Sequence, residues 1–116
     1  MQDEEFEKLV GEALDSLPKE FAEKLQNVGV TFENWPSPMQ ITKLRLNRRS
    51  LLFGLYEGIP LTKRGNYSGV LPDKITIFKN PILMVSRSPE DVRQRVRRTV
   101  IHEIGHHFGL SDKELR

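Results

Sequence analysis

The chain of 116 residues contains no cysteine, a single tryptophan and two tyrosines. Without thiols it can form neither disulfides nor thiolate metal sites, so any zinc must be held by imidazole and carboxylate groups. It has no run of about 18 apolar residues, which excludes a membrane-spanning helix. The opening Met1-Gln2-Asp3-Glu4-Glu5 has neither the basic nor the apolar part of an export signal. These absences lead to the expectation of a soluble, cytoplasmic protein with no membrane partner. At 37% hydrophobic content, one domain spanning residues 1–116 with a modest core is expected.

The net charge of +2 hides an asymmetry. Residues 1–34 carry nine acids against three bases, whereas residues 35–116 carry fifteen bases against seven acids. Basic clusters stand at Lys43, Arg45, Arg48 and Arg49, and again at Arg93, Arg95, Arg97 and Arg98. A polyanion-binding surface is one reading of them. The other is a solvated helix face that also pairs with the acidic N-terminal segment. No aromatic residues interleave with these charges and no nucleic-acid motif accompanies them, so a nucleic-acid partner is not expected.

Hydrophobic spacing supplies the element order. Phe6, Leu9, Val10, Ala13, Leu14 and Leu17 recur at three- and four-residue steps, predicting an amphipathic helix over about 3–16. Pro18 restarts a second helix through Phe21, Ala22 and Leu25 to about Asn27. Val28, Val30 and Phe32 alternate in a strand that runs to Trp35, itself read as a core edge. Residues 39–50 have no clean period. Leu51 to Tyr56 reads as a buried strand, Pro60 to Gly69 as a loop, and Lys74 to Phe78 as a third strand. Ser88-Pro89-Glu90-Asp91 opens a helix that continues to about Phe108, because serine caps, proline suits the first turn and acids favour the helix dipole. Its apolar stripe is Val100, Ile101, Ile104 and Phe108. The order helix, helix, strand, strand, strand, helix indicates an α+β fold, and one face of the last helix can pack on the sheet.

That last helix carries His102-Glu103-Ile104-Gly105-His106, followed by Gly109 and Asp112. Histidines four apart lie on one helix face and can grip a single ion. Glu103 projects about 100° away from His102, too far to share the ion but within reach of a water on it, the place for a general base. Gly109 permits a left-handed turn that ends the helix. Asp112 can then supply a third ligand, the alternatives being Glu114 or a residue from elsewhere in the fold. Two histidines, one carboxylate and an open position form the layout of a catalytic zinc site. A plainer reading treats Gly109 as a helix stop and Ser111 to Glu114 as a capping box; it leaves both histidines and Glu103 together as coincidence. His107 points about 100° from His106 and is read as a packing or supporting residue. Tyr56 and Tyr67 are candidate oxyanion donors, with structural roles as their alternatives.

The segment Val100 to Asp112, together with Gly54-Leu55-Tyr56-Glu57-Gly58-Ile59-Pro60-Leu61-Thr62 and Leu71 to Phe78, resembles small zincin-like proteins described as possible zinc metallopeptidases. The resemblance covers roughly residues 50–112. It implies a minimal zincin fold of α+β class, with a short mixed sheet packed on the active-site helix plus the N-terminal helices, one Zn2+ per chain on His102, His106 and Asp112, and Glu103 as catalytic base. It also implies an extended peptide or peptide-like substrate laid along an edge strand, for which Lys74 to Lys79 is the candidate. The longer motif is similar to the metzincin pattern, with Asp112 where many members have a third histidine. Only Lys113 to Arg116 follow Asp112 in the sequence, so no methionine turn is expected after it, and Met84 is read as a loop or core methionine. Metal-assisted peptide hydrolysis is the expected activity. The alternative is a zinc-binding module of the same fold that acts by binding or regulation.

Overall fold

A computed structural model describes residues 1–43, 52–58 and 73–107. Two N-terminal helices, α1 (Asp3–Asp15) and α2 (Lys19–Lys24), lead into strand β1 (Val28–Glu33) and a short helix α3 (Pro38–Lys43). Strands β2 (Gly54–Gly58) and β3 (Asp73–Phe78) follow, then helix α4 (Lys79–Val85) and the long helix α5 (Pro89–His107). The fold is α+β, as expected.

The sheet order is β1-β3-β2. Strand β3 pairs in parallel with β1, from Val28 with Asp73 to Glu33 with Phe78. It pairs antiparallel with β2, from Gly54 with Ile77 to Gly58 with Asp73. The sheet is therefore mixed, and β3 is its centre. This corrects the assignment of Lys74 to Lys79 as the substrate-binding edge. A strand hydrogen-bonded on both sides has no free backbone groups for a third partner, and Lys79 already belongs to α4. Among the described residues, β2 is the edge strand near the histidine helix.

The alternation of β3 divides the sheet faces. Ile75 and Ile77 are fully buried and point to the core side, level with Val30 and Phe32 of β1, and Val28 shares that face. Against that face lies α5, which buries Val92, Val96, Val100 and Ile104 at four-residue steps, with Ile101 beside them. Helix α1 completes the core with Phe6, Val10 and Ala13, and the Phe6 ring meets Phe32 edge-on at 5.0 Å. Phe108 of the expected stripe lies outside the described residues.

Two helices escaped the sequence pattern because each is a single short stretch. The signal for α3 is a capping box: the Ser37 hydroxyl accepts from the Gln40 amide at 3.1 Å, and the Gln40 side chain accepts from the Ser37 amide at 2.7 Å. Helix α4 follows β3 without a turn and contains Pro81, which reads locally as a breaker but suits an early helical position. Lys79 at its start is buried and reaches Asp3 of α1 at 2.6 Å. Two side chains sit differently from expectation. Trp35 is 53% exposed, so it is no core edge, and Met84 lies on α4 at 65% exposure, neither loop nor core. Trp35 sits between Asn34 and Pro36 after the end of β1, and Met84 falls on the outer side of its helix, so neither side chain is directed to the apolar interior.

Candidate metal centre

Helix α5 begins where its sequence says it should. Ser88 accepts from the Asp91 amide at 3.1 Å, and the Asp91 carboxylate accepts from the Arg87 amide at 3.0 Å. One of the amides that a helix start leaves orphaned, that of Asp91, is thus capped by Ser88, and the Asp91 carboxylate ties down the Arg87 amide just ahead of the cap. The basic residues that follow pair mainly within the helix: Arg93 with Glu90, and Arg95 with Asp91 at 3.2 Å. Pairing with the acidic N-terminal segment is instead made by Lys79 with Asp3. Of the cluster at 43–49, only the backbone of Lys43 is within the described residues.

Helix and edge strand run side by side in the same direction, and three contacts set their register. Gly54 faces Thr99, Tyr56 meets Glu103, and Gly58 lies by His107. Two strand residues advance about 6.8 Å and four helical residues about 6 Å, so one pleat repeat keeps step with one helical turn. The first contact demands glycine. A Cβ on Gly54 would fall 2.5 Å from Thr99 Cγ2 and 3.3 Å from the Thr76 carbonyl oxygen. Backbone packed this closely on α5 brings β2 within reach of the functional side chains.

Glu103 is the link. Its Oε1 accepts from the Tyr56 amide at 3.0 Å. Phe78 donates its amide to the Phe53 carbonyl at 2.9 Å, so Phe53, Leu55 and Glu57 point their backbone groups inward to β3. Gly54, Tyr56 and Gly58 therefore point theirs to the outer edge, where Glu103 takes the middle amide. Burial raises the Glu103 carboxyl above its ordinary value. The Tyr56 amide and the nearby His106 pull it the other way and offset only part of the rise.

His102 and His106 present their rings on the same side of α5, with centroids 6.0 Å apart and planes tilted by 47°. Two imidazoles on one tetrahedral zinc have ring centres roughly 5 Å apart, given Zn–N bonds of about 2.0–2.1 Å. The pair thus fits an ion after a small side-chain adjustment. Among the described residues no third histidine or carboxylate joins them as a metal-holding group. Asp112, the expected third ligand, lies outside the described residues, as do Gly109, Glu114 and Tyr67.

His107 turns away from this pair. Its ring stacks on Tyr56 at 3.9 Å between centroids, and its Nε2 is 3.9 Å from Asp73 Oδ2. Tyr56 donates its hydroxyl to the same Asp73 oxygen at 2.7 Å. The phenol of Tyr56, a candidate oxyanion donor, is thus engaged by Asp73. Asp73 had no role in the sequence pattern; the Pro72-Asp73 pair reads as a turn ahead of a strand. A cavity of about 260 Å³ opens beside the site, lined by Leu52, Phe53, Gly54, Arg98, Thr99, His102 and Glu103. A larger and shallower hollow of about 530 Å³ at Pro18, Lys19, Glu20 and Glu23 holds no histidine and lies on α2, away from this chemistry.

A helix with paired histidines and a glutamate, packed along the edge of a small mixed sheet, defines a zincin-type architecture. The family model for zincin-like metallopeptidases matches residues 25–116, and the chain belongs to that family. Among solved structures, a conserved hypothetical protein from Thermo thermophilus is similar at 26% identity, with a TM-score of 0.61. The match covers 93% of this chain and 94% of that one. No curated protein matches the chain. Among the described residues no helix is long and apolar enough to cross a membrane.

Proposed function

We propose that this protein is a zinc-dependent peptidase that hydrolyses extended peptides at the edge of β2. The observation that carries the reading is the placement of Glu103, beside His102 and His106, half-buried, with one carboxylate oxygen anchored on the Tyr56 amide. Its other oxygen has no hydrogen-bond partner among the described residues. His102 and His106 would hold the ion, with Asp112 as third ligand. When bound, zinc supplies Lewis acidity that makes a water acidic near neutral pH and polarises a carbonyl.

The chain's own groups do the remainder. Glu103 accepts a proton from the attacking water on the unanchored oxygen and returns it to the departing amine. Its anchor on Tyr56 restricts the carboxylate to one orientation, which reduces the entropy lost on reaching the reactive geometry. The outward-facing backbone groups of Gly54 and Gly58 are placed to pair with an extended chain. Burial makes Glu103 a better base than an exposed carboxylate, since a raised pKa increases its proton affinity.

Metal analysis, peptide digestion and two variants test this. Purified protein is expected to hold one zinc per chain, lost in His102→Ala and His106→Ala. Glu103→Gln is expected to retain zinc while hydrolysis falls by about two to four orders of magnitude. Retained zinc with no cleavage by the wild type across a diverse peptide library would instead identify a zinc-binding module.

A further inference from the structure

The cavity beside the histidines is apolar on the strand side, with Leu52, Phe53 and Gly54, and polar on the helix side, where Arg98 and Thr99 stand at one end and His102 and Glu103 at the other. Arg98 stands one helical turn before His102, on the same face. Its neighbours Arg93 and Arg95 are each tied to an acid of their own helix, but no acid among the described residues pairs with Arg98. Nor is Arg98 among the groups that shift the Glu103 carboxyl. A guanidinium at the rim of this cavity, paired with no acid among the described residues, offers a two-pronged site for an incoming carboxylate.

Direction follows from the strand register. Helix α5 and β2 run the same way, so the Arg98 end of the helix lies by Gly54 and the His107 end by Gly58. A ligand strand added antiparallel to β2, the better-bonded arrangement, runs from the Gly58 end towards the Gly54 end. Its segment beyond the histidines, on the C-terminal side, then enters the Arg98 cavity.

We infer that this cavity is a carboxylate-recognising subsite for the part of a peptide on the C-terminal side of the cleaved bond. The inference rests on the edge-strand peptidase reading and adds the substrate class. The carboxylate can belong to an aspartate or glutamate side chain, or to a free C-terminus one or two residues beyond the bond. Leu52 and Phe53 hold the aliphatic part of that residue while Arg98 takes the charge. The net positive charge of residues 35–116 favours the approach of such ligands.

The test is a calorimetric titration of zinc-loaded Glu103→Gln protein, which binds without turnover. Four pentapeptides of one sequence are compared: glutamate or glutamine at the fourth position, which follows the bond placed at the metal, each with a free or an amidated C-terminus two residues beyond that bond. The acidic member of one pair is expected to bind about 5- to 20-fold more tightly, as a charge-assisted hydrogen bond at a part-exposed site predicts. The pair that shows the effect identifies the source of the carboxylate. Adding Arg98→Gln is expected to reduce the preference below about twofold, and Arg98→Glu to turn it towards a lysine peptide. Arg98 is exposed, so both substitutions leave the core intact, which far-ultraviolet circular dichroism verifies. Equal binding of all four peptides, no binding of any, or a preference that survives Arg98→Gln would overturn the subsite. Failure of the wild type to cleave peptides that bind with this preference would remove the peptidase reading and leave the subsite standing.

Discussion

The carboxylate of Glu103 accepts a hydrogen bond from the backbone amide of Tyr56 at 3.0 Å, joining residues 47 apart in the chain. The bond uses an amide of β2 that points away from β3, and it fixes the side chain proposed as the base. Glu103→Ala removes the acceptor from a half-buried donor, at an expected cost of about 1–2 kcal/mol; Glu103→Gln keeps an acceptor oxygen and costs less. Urea unfolding of the metal-free variants measures the difference. Faster hydrogen exchange at the Tyr56 amide in the alanine variant alone locates it.

The raised pKa of Glu103 sets the sign of a pH effect. Burial favours the protonated form, so the folded protein holds this proton more tightly than the unfolded chain, whose ordinary value is 4.5. The associated stability is fully present below that value and is lost as pH rises through the raised folded one. In metal-free protein, the melting temperature of wild type relative to Glu103→Gln is therefore expected to fall as pH increases above 4.5. A relative melting temperature that rises with pH would contradict burial as the dominant cause.

Gly54 tests the contact between strand and helix. Gly54→Ala drives a methyl into Thr99 and is expected to destabilise by about 1–3 kcal/mol. Thr99→Ser deletes the clashing methyl group and should recover part of that loss in the double variant. The Thr76 carbonyl oxygen, 3.3 Å from the new carbon, prevents full recovery. A double-mutant cycle by chemical denaturation measures the coupling.

Tyr56→Phe keeps the ring on His107 and deletes the hydroxyl that Asp73 accepts. Loss of a hydrogen bond to a charged acceptor predicts about 1.5–3 kcal/mol of destabilisation. Asp73→Asn retains an acceptor and is expected to cost less. Denaturation midpoints of the two variants provide the comparison; a larger loss in Asp73→Asn would show that the charge, not the bond, matters.

Ile104 lies between the two histidines in sequence but points to the opposite side, fully buried. Ile104→Ala is expected to cost about 2–5 kcal/mol through the cavity it leaves. His102→Ala, on the half-exposed side, is expected to change the stability of the metal-free protein by less than about 1 kcal/mol. Thermal unfolding of metal-free protein distinguishes the two faces.

Much of this was legible in the chain because local periodicity survives folding. The stripe Phe6, Val10 and Ala13, the alternation of Ile75 and Ile77, and the Ser88 cap each produce the element their spacing predicts. The pair His102 and His106 with Glu103 needs only a helix to share a side, and the helix is there. Short elements were not legible. Helix α3 is marked only by the Ser37 and Gln40 capping box, and α4 follows β3 with no turn between them. Asp73 resembles an ordinary turn acid until Tyr56 and His107 close on it.

Residue type and spacing by themselves determined the α+β class, the histidine helix, its buried stripe and the candidate base, because these depend on interactions within about four residues. Strand order was a tertiary outcome. Placing β3 between β1 and β2 made it the centre and, among the described residues, left β2 at an edge, so the segment expected to take a peptide is paired on both sides. That choice depends on which faces bury the most apolar surface together, a quantity summed over distant segments. The same packing carried Gly54 against Thr99, the Tyr56 amide to Glu103, and Arg98 to the rim of a cavity that no local pattern contains.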